Sequence, residues 1–180
     1  ILGNIARIES TIAEVDTQIG SCIVPYKAQR ELLESIPGVG KEGANCIIAE
    51  VGVDMGQFPD QNHLASWAGV CPGSNETAGK NKSGRITYGN KYLRSILAEC
   101  GWAASRTKNT YMSAKYKSLV GRRGKKKSII ALAHKILIAT YFILRDKIEF
   151  KDLGPDHLSN FKKDRLITYH RQQLEKLMAA

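Results

Sequence analysis

Apolar residues recur near the start of the chain at Ile1, Ile5, Ile8, Ile12, Val15 and Ile19, at intervals of 4, 3, 4, 3 and 4. That is the a/d seam of a heptad repeat, and it predicts a helix over residues 1–20 that lies against another helix. The seam is under three heptads long, so it equally suits an ordinary amphipathic helix docked on its own domain. Residues 28–52 predict helix, tight turn, helix: Leu32, Leu33 and Ile36 on the first face, Ala44, Ile47, Ile48 and Val51 on the second, with Gly52 closing it. A short helix follows over 58–71, capped by Asp60, with Leu64, Trp67, Ala68 and Val70 inward.

Residues 72–90 are rich in Gly, Ser, Asn, Thr and Lys and predict a long loop, with short extended pieces around Arg85–Tyr88. Helical spacing returns over 91–106 (Leu93, Ile96, Leu97, Cys100, Ala104) and 109–120. It returns again over 128–146, the most apolar stretch, after a basic turn from Gly121 to Lys127. A more charged helix is expected from about Ser159. The expected fold class is all-α.

Composition adds a partner to this outline. The net charge is +10, from 27 Lys+Arg against 17 Asp+Glu. The excess is local: from Lys80 to Lys127 there are fourteen Lys or Arg and a single acid, Glu99. A field of that density attracts phosphate backbones and releases their counterions on binding. No stretch reads as long and apolar enough to span a bilayer, so no membrane partner is expected. The four cysteines lie 24, 25 and 29 residues apart and read as buried free thiols of a reducing compartment. The four histidines have no metal-ligand spacing with them. His134 reads as a core histidine, and Trp67 and Trp102 as core aromatics. A start at Ile1, already in helical register and with no initiator Met, suggests a fragment.

Three stretches carry candidate chemistry. Pro37, Gly38, Val39, Gly40 and Lys41 form a glycine turn before a helix, which lets backbone amides and a helix N-terminus face a phosphate without reading sequence. The alternative for this stretch is a simple packing turn. The loop from Gly69 to Arg94 sets hydroxyls (Ser74, Thr77, Ser83) among Lys80, Lys82, Arg85, Lys91 and Arg94. It suits phosphate binding, or a hydroxyl nucleophile attacking phosphorus, and residue chemistry alone leaves both open. The run Arg122, Arg123, Lys125, Lys126, Lys127, with Tyr111 and Tyr116 upstream, suits a backbone clamp on DNA or RNA.

The order of these pieces resembles one family. Leu32-Leu33-x-x-Ile36-Pro37-Gly38-Val39-Gly40-Lys41 is similar to a helix-hairpin-helix. It is followed by Trp67-Ala68-Gly69-Val70-Cys71-Pro72, Asn75-Glu76-Thr77-Ala78-Gly79-Lys80, Ser83-Gly84-Arg85 and Gly89-Asn90-Lys91-Tyr92-Leu93-Arg94. Over about residues 28–147 this resembles the C-terminal domain of insertion-sequence transposases that carry an N-terminal RuvC-like DEDD domain, a family that includes bridge-RNA-guided recombinases.

The resemblance implies a coiled-coil-like linker helix (1–27), a transposase domain (28–150) and a helical tail (151–180). It implies strand cutting and rejoining through a covalent link to a hydroxyl five residues after the loop proline, which here is Thr77 where the family has serine. It further implies DNA and a structured guide RNA as partners, and a homo-oligomer, dimer or tetramer. No cofactor is expected in this chain, with Mg²⁺ held by the RuvC-like domain, and the setting is the bacterial or archaeal cytoplasm at the nucleoid. The competing readings are a non-catalytic helix-hairpin-helix nucleic-acid-binding module and an assembly module dominated by the first helix.

Overall fold

The structure, a computed structural model, describes residues 2–73, 76–77, 80–81 and 85–178. The elements run α1 (Leu2–Ile23), α2 (Lys27–Glu34), α3 (Lys41–Val51), α4 (Gln61–Trp67), β1 (Glu76–Thr77), β2 (Lys80–Asn81), α5 (Lys91–Arg106), α6 (Tyr111–Asp146) and α7 (His157–Met178). The fold is all-α. Among the described residues, strand pairing is limited to the two-residue antiparallel pair β1–β2 and one isolated bridge, Pro72 to Ile86.

The core follows the 3.6-residue spacing. Leu93, Leu97 and Ala104 on α5, and Leu132, Ala133, Ile136 and Leu137 on α6, are 0% exposed. Alternation at i, i+3 and i+4 lines them on one face each. α5 and α6 form the central pair; α3 packs on α5, α4 on α6, and α2 on both α3 and α6. Local chemistry sets the helix starts. Asp60 caps α4 by accepting from the amides of Asn62 and His63 (2.7 and 2.9 Å), and Asn90 caps α5 by accepting from Tyr92 and Leu93 (2.9 and 3.1 Å). At α6 Thr110 is the cap, and Asp152 from the following loop takes the Tyr111 amide at 3.0 Å.

Three expectations need correction and a fourth holds in part. The basic turn expected from Gly121 to Lys127 narrows to one residue: Gly124 (φ 74, ψ 167) leaves helical geometry and kinks α6, with helix on both sides of it. Lys and Arg are good helix formers, so the residues that flank the glycine stay helical with their heads in water. By length and composition α6 is also long and apolar enough to cross a membrane, contrary to the sequence expectation. Its apolar residues are, however, the wall of the core. Cys22 is exposed rather than buried; Cys46 and Cys71 are half-buried and Cys100 buried, all as free thiols. Trp67 and Trp102 are 44% and 37% exposed, so neither is a core aromatic.

Two helices stand apart from this core. α1 is the expected N-terminal helix, and its seam residues Ile5, Ile8, Ile12, Val15 and Ile19 lie 44–55% exposed. Only its C-terminal end meets the domain. There Ile19, Ile23 and Tyr26 face Cys46, Ile48 and Val53 across an apolar groove of about 620 Å³. α7 leaves Phe161, Leu166, Ile167 and Leu174 exposed.

Candidate nucleic-acid interface

α5 organises the site, because both candidate turns rest on it. The turn between α2 and α3 presses on its C-terminal half. Gly38 has φ 89, and a Cβ there would lie 2.5 Å from the Cys100 carbonyl and 2.7 Å from the Ala104 Cα. Only glycine permits both the left-handed backbone and that approach. Pro37 is half-buried and Val39 buried, so the turn's outer surface is Gly40 and Lys41. Gly40 is the N-cap of α3 and has no side chain to give, which leaves the first amides of α3 without a side-chain acceptor beside the exposed Lys41. Such an end favours an anion, although Glu42 in the first turn already supplies some negative charge.

The long loop closes on the other end of α5. A Cβ at Gly69 (φ 70) would lie 2.9 Å from the Gly89 nitrogen and the Thr87 carbonyl, so the two loop ends touch backbone to backbone. Gly73 N donates to the Arg85 carbonyl (2.8 Å) and Thr87 N to the Cys71 carbonyl (3.2 Å), continuing the seam outward. Asn90 fixes the base: while its Oδ1 caps α5, its Nδ2 donates to Glu50 of α3 at 2.5 Å. Beyond the seam, β1 and β2 pair antiparallel, Thr77 with Lys80, so the backbone of the candidate nucleophile lies in a two-stranded pair. The side chains of Thr77 and Lys80, and all of Ser74, Lys82 and Ser83, lie outside the described residues.

The remaining candidates fall into two groups. Lys91, with its Nζ 5.0 Å from the Tyr92 ring centroid, and the half-buried Arg94 lie on the first turn of α5, and exposed Arg85 lies on the returning segment of the loop, its carbonyl accepting from Gly73 N. Arg122, Arg123, Lys125, Lys126 and Lys127 are all exposed and flank the Gly124 kink of α6. The second group connects to α5 through aromatics: Tyr116 of α6 lies 6.2 Å from Trp102, over which Arg106 also sits at 5.7 Å. At a helical rise of 1.5 Å per residue, the Gly38 contact and the loop base are about 15 Å apart along α5.

Sequence reasoning missed two features. Trp67, Tyr88 and Tyr92 surround an open hollow at the loop base. Tyr88 and Tyr92 flank the polar run Gly89-Asn90-Lys91, a setting that signals exposure. The second is Cys71, whose Sγ lies 3.7 Å from His134 Nδ1. Burial pushes the Cys71 thiol up, and burial, then the Lys135 charge, pushes His134 below its ordinary value. Both groups are therefore held neutral at the point where the loop leaves the core. Among the described residues no group of three or more His, Cys, Asp or Glu side chains converges as a metal site.

Comparison with known proteins adds an independent line. Residues 30–117 match the family model described as Transposase IS116/IS110/IS902 family. The chain is 29% identical over 154 residues to the pilin gene-inverting protein of Moraxella bovis, a match covering 82% of this chain and 47% of that protein. It is 34% identical over 109 residues to a putative transposase, y4pF/y4sB, of Sinorhizobium fredii, covering 58% of this chain and 28% of that protein. It is also 34% identical over 107 residues to the transposase for insertion sequence element IS1111A of Coxiella burnetii, covering 57% and 29%. The matched region thus spans about half or less of each of these relatives.

Proposed function

We propose, from the match of residues 30–117 to the Transposase IS116/IS110/IS902 family model, that this chain is the DNA-gripping, nucleophile-bearing part of a recombinase. It acts with a RuvC-like DEDD domain supplied by the rest of the protein. The observation that carries the reading is the family match over the segment that contains both the glycine turn and the loop closed by Gly69 and Gly89.

The Thr77 hydroxyl attacks a DNA phosphodiester. As the new oxygen–phosphorus bond forms, the bond to the leaving DNA oxygen breaks, and a second DNA hydroxyl reverses the exchange with the phosphate conserved. Lys and Arg around the loop stabilise the charge that develops on phosphorus. Threonine's extra methyl crowds an in-line approach, so serine at the same position is the faster nucleophile. The described residues do not fit a Mg²⁺ site, and divalent-metal chemistry is assigned to the carboxylates of the DEDD domain.

Grip comes from two directions. The open end of α3 with Gly40 and Lys41 acts as a helix-hairpin-helix contact on backbone phosphate. The exposed cations around Gly124 hold a second stretch of backbone, in DNA or in a structured guide RNA. The unpartnered seam of α1 pairs with the same helix of another copy, giving a homo-oligomer.

Covalent trapping tests the catalytic role. The chain, joined to a RuvC-like domain proven on a native relative, is mixed with Mg²⁺, guide RNA and nicked DNA. Denaturation-resistant adducts are expected with Thr77, more with Thr77→Ser and none with Thr77→Ala. Adducts that persist in Thr77→Ala would overturn the assignment. Salt-sensitive DNA binding with no adduct in any form would leave the non-catalytic binding module in its place.

A further inference from the structure

Trp67, Tyr88 and Tyr92 are 44%, 102% and 64% exposed, and with Gly89, Asn90 and Lys91 they line one hollow at the base of the loop. From this arrangement we propose that the hollow is a stacking site for an unpaired DNA base beside the strand break, an inference that rests on the recombinase reading above.

The lining chemistry selects the ligand. Three aromatic rings surround the hollow, without one aliphatic side chain and without an acid. An apolar protein anchor is normally met by aliphatic walls and a polar rim. A nucleobase is met by aromatic faces, because every base has a π-face, with cations nearby for the phosphates that come with it. Lys91 lines the hollow, and Arg85 and Arg94 flank its residues in sequence, with no acid between them.

The scaffold holds Trp67 and the floor of the hollow. The Trp67 ring packs on Phe58 at 5.8 Å, and the Trp67 carbonyl accepts from the Asn90 amide at 3.4 Å. Gly69 and Gly89 form the floor in backbone contact, and the Asn90–Glu50 bond ties it to α3. A packed ring such as Trp67 loses little freedom when a base stacks on it, while the fully exposed Tyr88 ring is free to close on the other face.

Paired bases hide their faces in the duplex, so the site takes a base that is flipped, frayed or at a nick. Such bases occur where a strand is opened for rejoining. Holding one at the loop base keeps a cut end from drifting before it is attacked.

Trp67 itself reports occupancy. In Trp102→Phe, which leaves it the sole tryptophan of the chain, a single-stranded thymidine oligomer of about ten nucleotides is titrated at physiological salt, beside a matched duplex and the equivalent RNA. Saturable quenching by the single strand, well below the concentration at which the duplex acts, is expected. Tyr88→Ala should weaken single-strand binding by about tenfold without altering the circular dichroism, because Tyr88 is fully exposed and its loss opens no cavity. Equal response to the duplex, response to RNA alone, or binding unchanged by Tyr88→Ala overturns the proposal. If adducts at Thr77 form while quenching is absent, the stacking site fails alone. If quenching occurs without adducts, the catalytic reading fails alone.

Discussion

The apolar seam of α1 and the apolar faces of α5 and α6 obey the same spacing and meet opposite fates. Leu93, Leu97, Leu132 and Ile136 are removed from water completely, whereas Ile5, Ile8, Ile12, Val15 and Ile19 remain about half exposed. The difference teaches that helical periodicity specifies a face and says nothing of who covers it. Helices α2 to α6 cover one another within the chain. The α1 face has cover only at its end, where Ile19 and Ile23 approach α3. That continuous exposed apolar surface is what the proposed pairing with a second copy would bury.

The strongest way to break the comparison is to disturb the covered side. Gly38→Ala places a methyl against the α5 backbone at a left-handed φ and should destabilise the domain by about 3 kcal/mol or more, read by chemical denaturation. Gly40→Ala is the internal control: φ is −92 and nothing lies within 4 Å of the added Cβ. A substantial loss in Gly40→Ala, or none in Gly38→Ala, would show that the turn is not held on α5 as described.

The uncovered side gives a smaller effect on stability and a larger one on assembly. Ile8→Asp with Ile12→Asp should leave the denaturation midpoint of the core within about 0.5 kcal/mol of the parent, since neither side chain joins the core. The same pair should lower the molar mass measured by light scattering, because charges in an a/d seam have no partner. A parent chain that is already monomeric at every concentration would remove the second-copy reading of α1.

Much of this division was legible in the sequence, and the limits have physical causes. The span of α5 from Lys91 to Arg106 and the cap at Asp60 follow from helical spacing and local hydrogen-bond chemistry, which sequence carries directly; the same chemistry at Asn90 went unread. Trp67 was misread because it follows Leu64 at helical spacing; it is the last residue of a seven-residue helix, and its ring packs on Phe58 at 5.8 Å with 44% of the residue left exposed. The basic stretch around Gly124 read as a turn by its glycines and charges; the break is there, at Gly124 alone, and the cations on either side of it remain helical. The Cys71–His134 contact joins residues 63 positions apart, and no local pattern encodes such a pair. Thr77 was placed only through the order of motifs, since one hydroxyl in a polar loop has no periodicity to mark it.

The smallest effect lies where the covered core touches the site. His134 stands on α6, against Cys71 at the root of the loop, and burial holds its pKa below the ordinary 6.5. The unfolded chain therefore binds a proton before the folded one does. Stability from this group is complete above about pH 6.5 and is lost as pH falls through that value toward the depressed folded pKa. Between about pH 7.5 and about pH 5.5 the parent should lose on the order of 2 °C more in Tm than His134→Gln, a shift of the size a buried histidine gives in a domain this large. The amides of Val70 and Cys71 should exchange faster in acid than those of Leu132 or Ile136, because protonation acts at the loop root and leaves the α5–α6 contact intact. Equal acid sensitivity in both regions would mean that the loop root and the core open together. The site would then be an extension of the folding unit, and the boundary between covered and uncovered surface would lie at α1 alone.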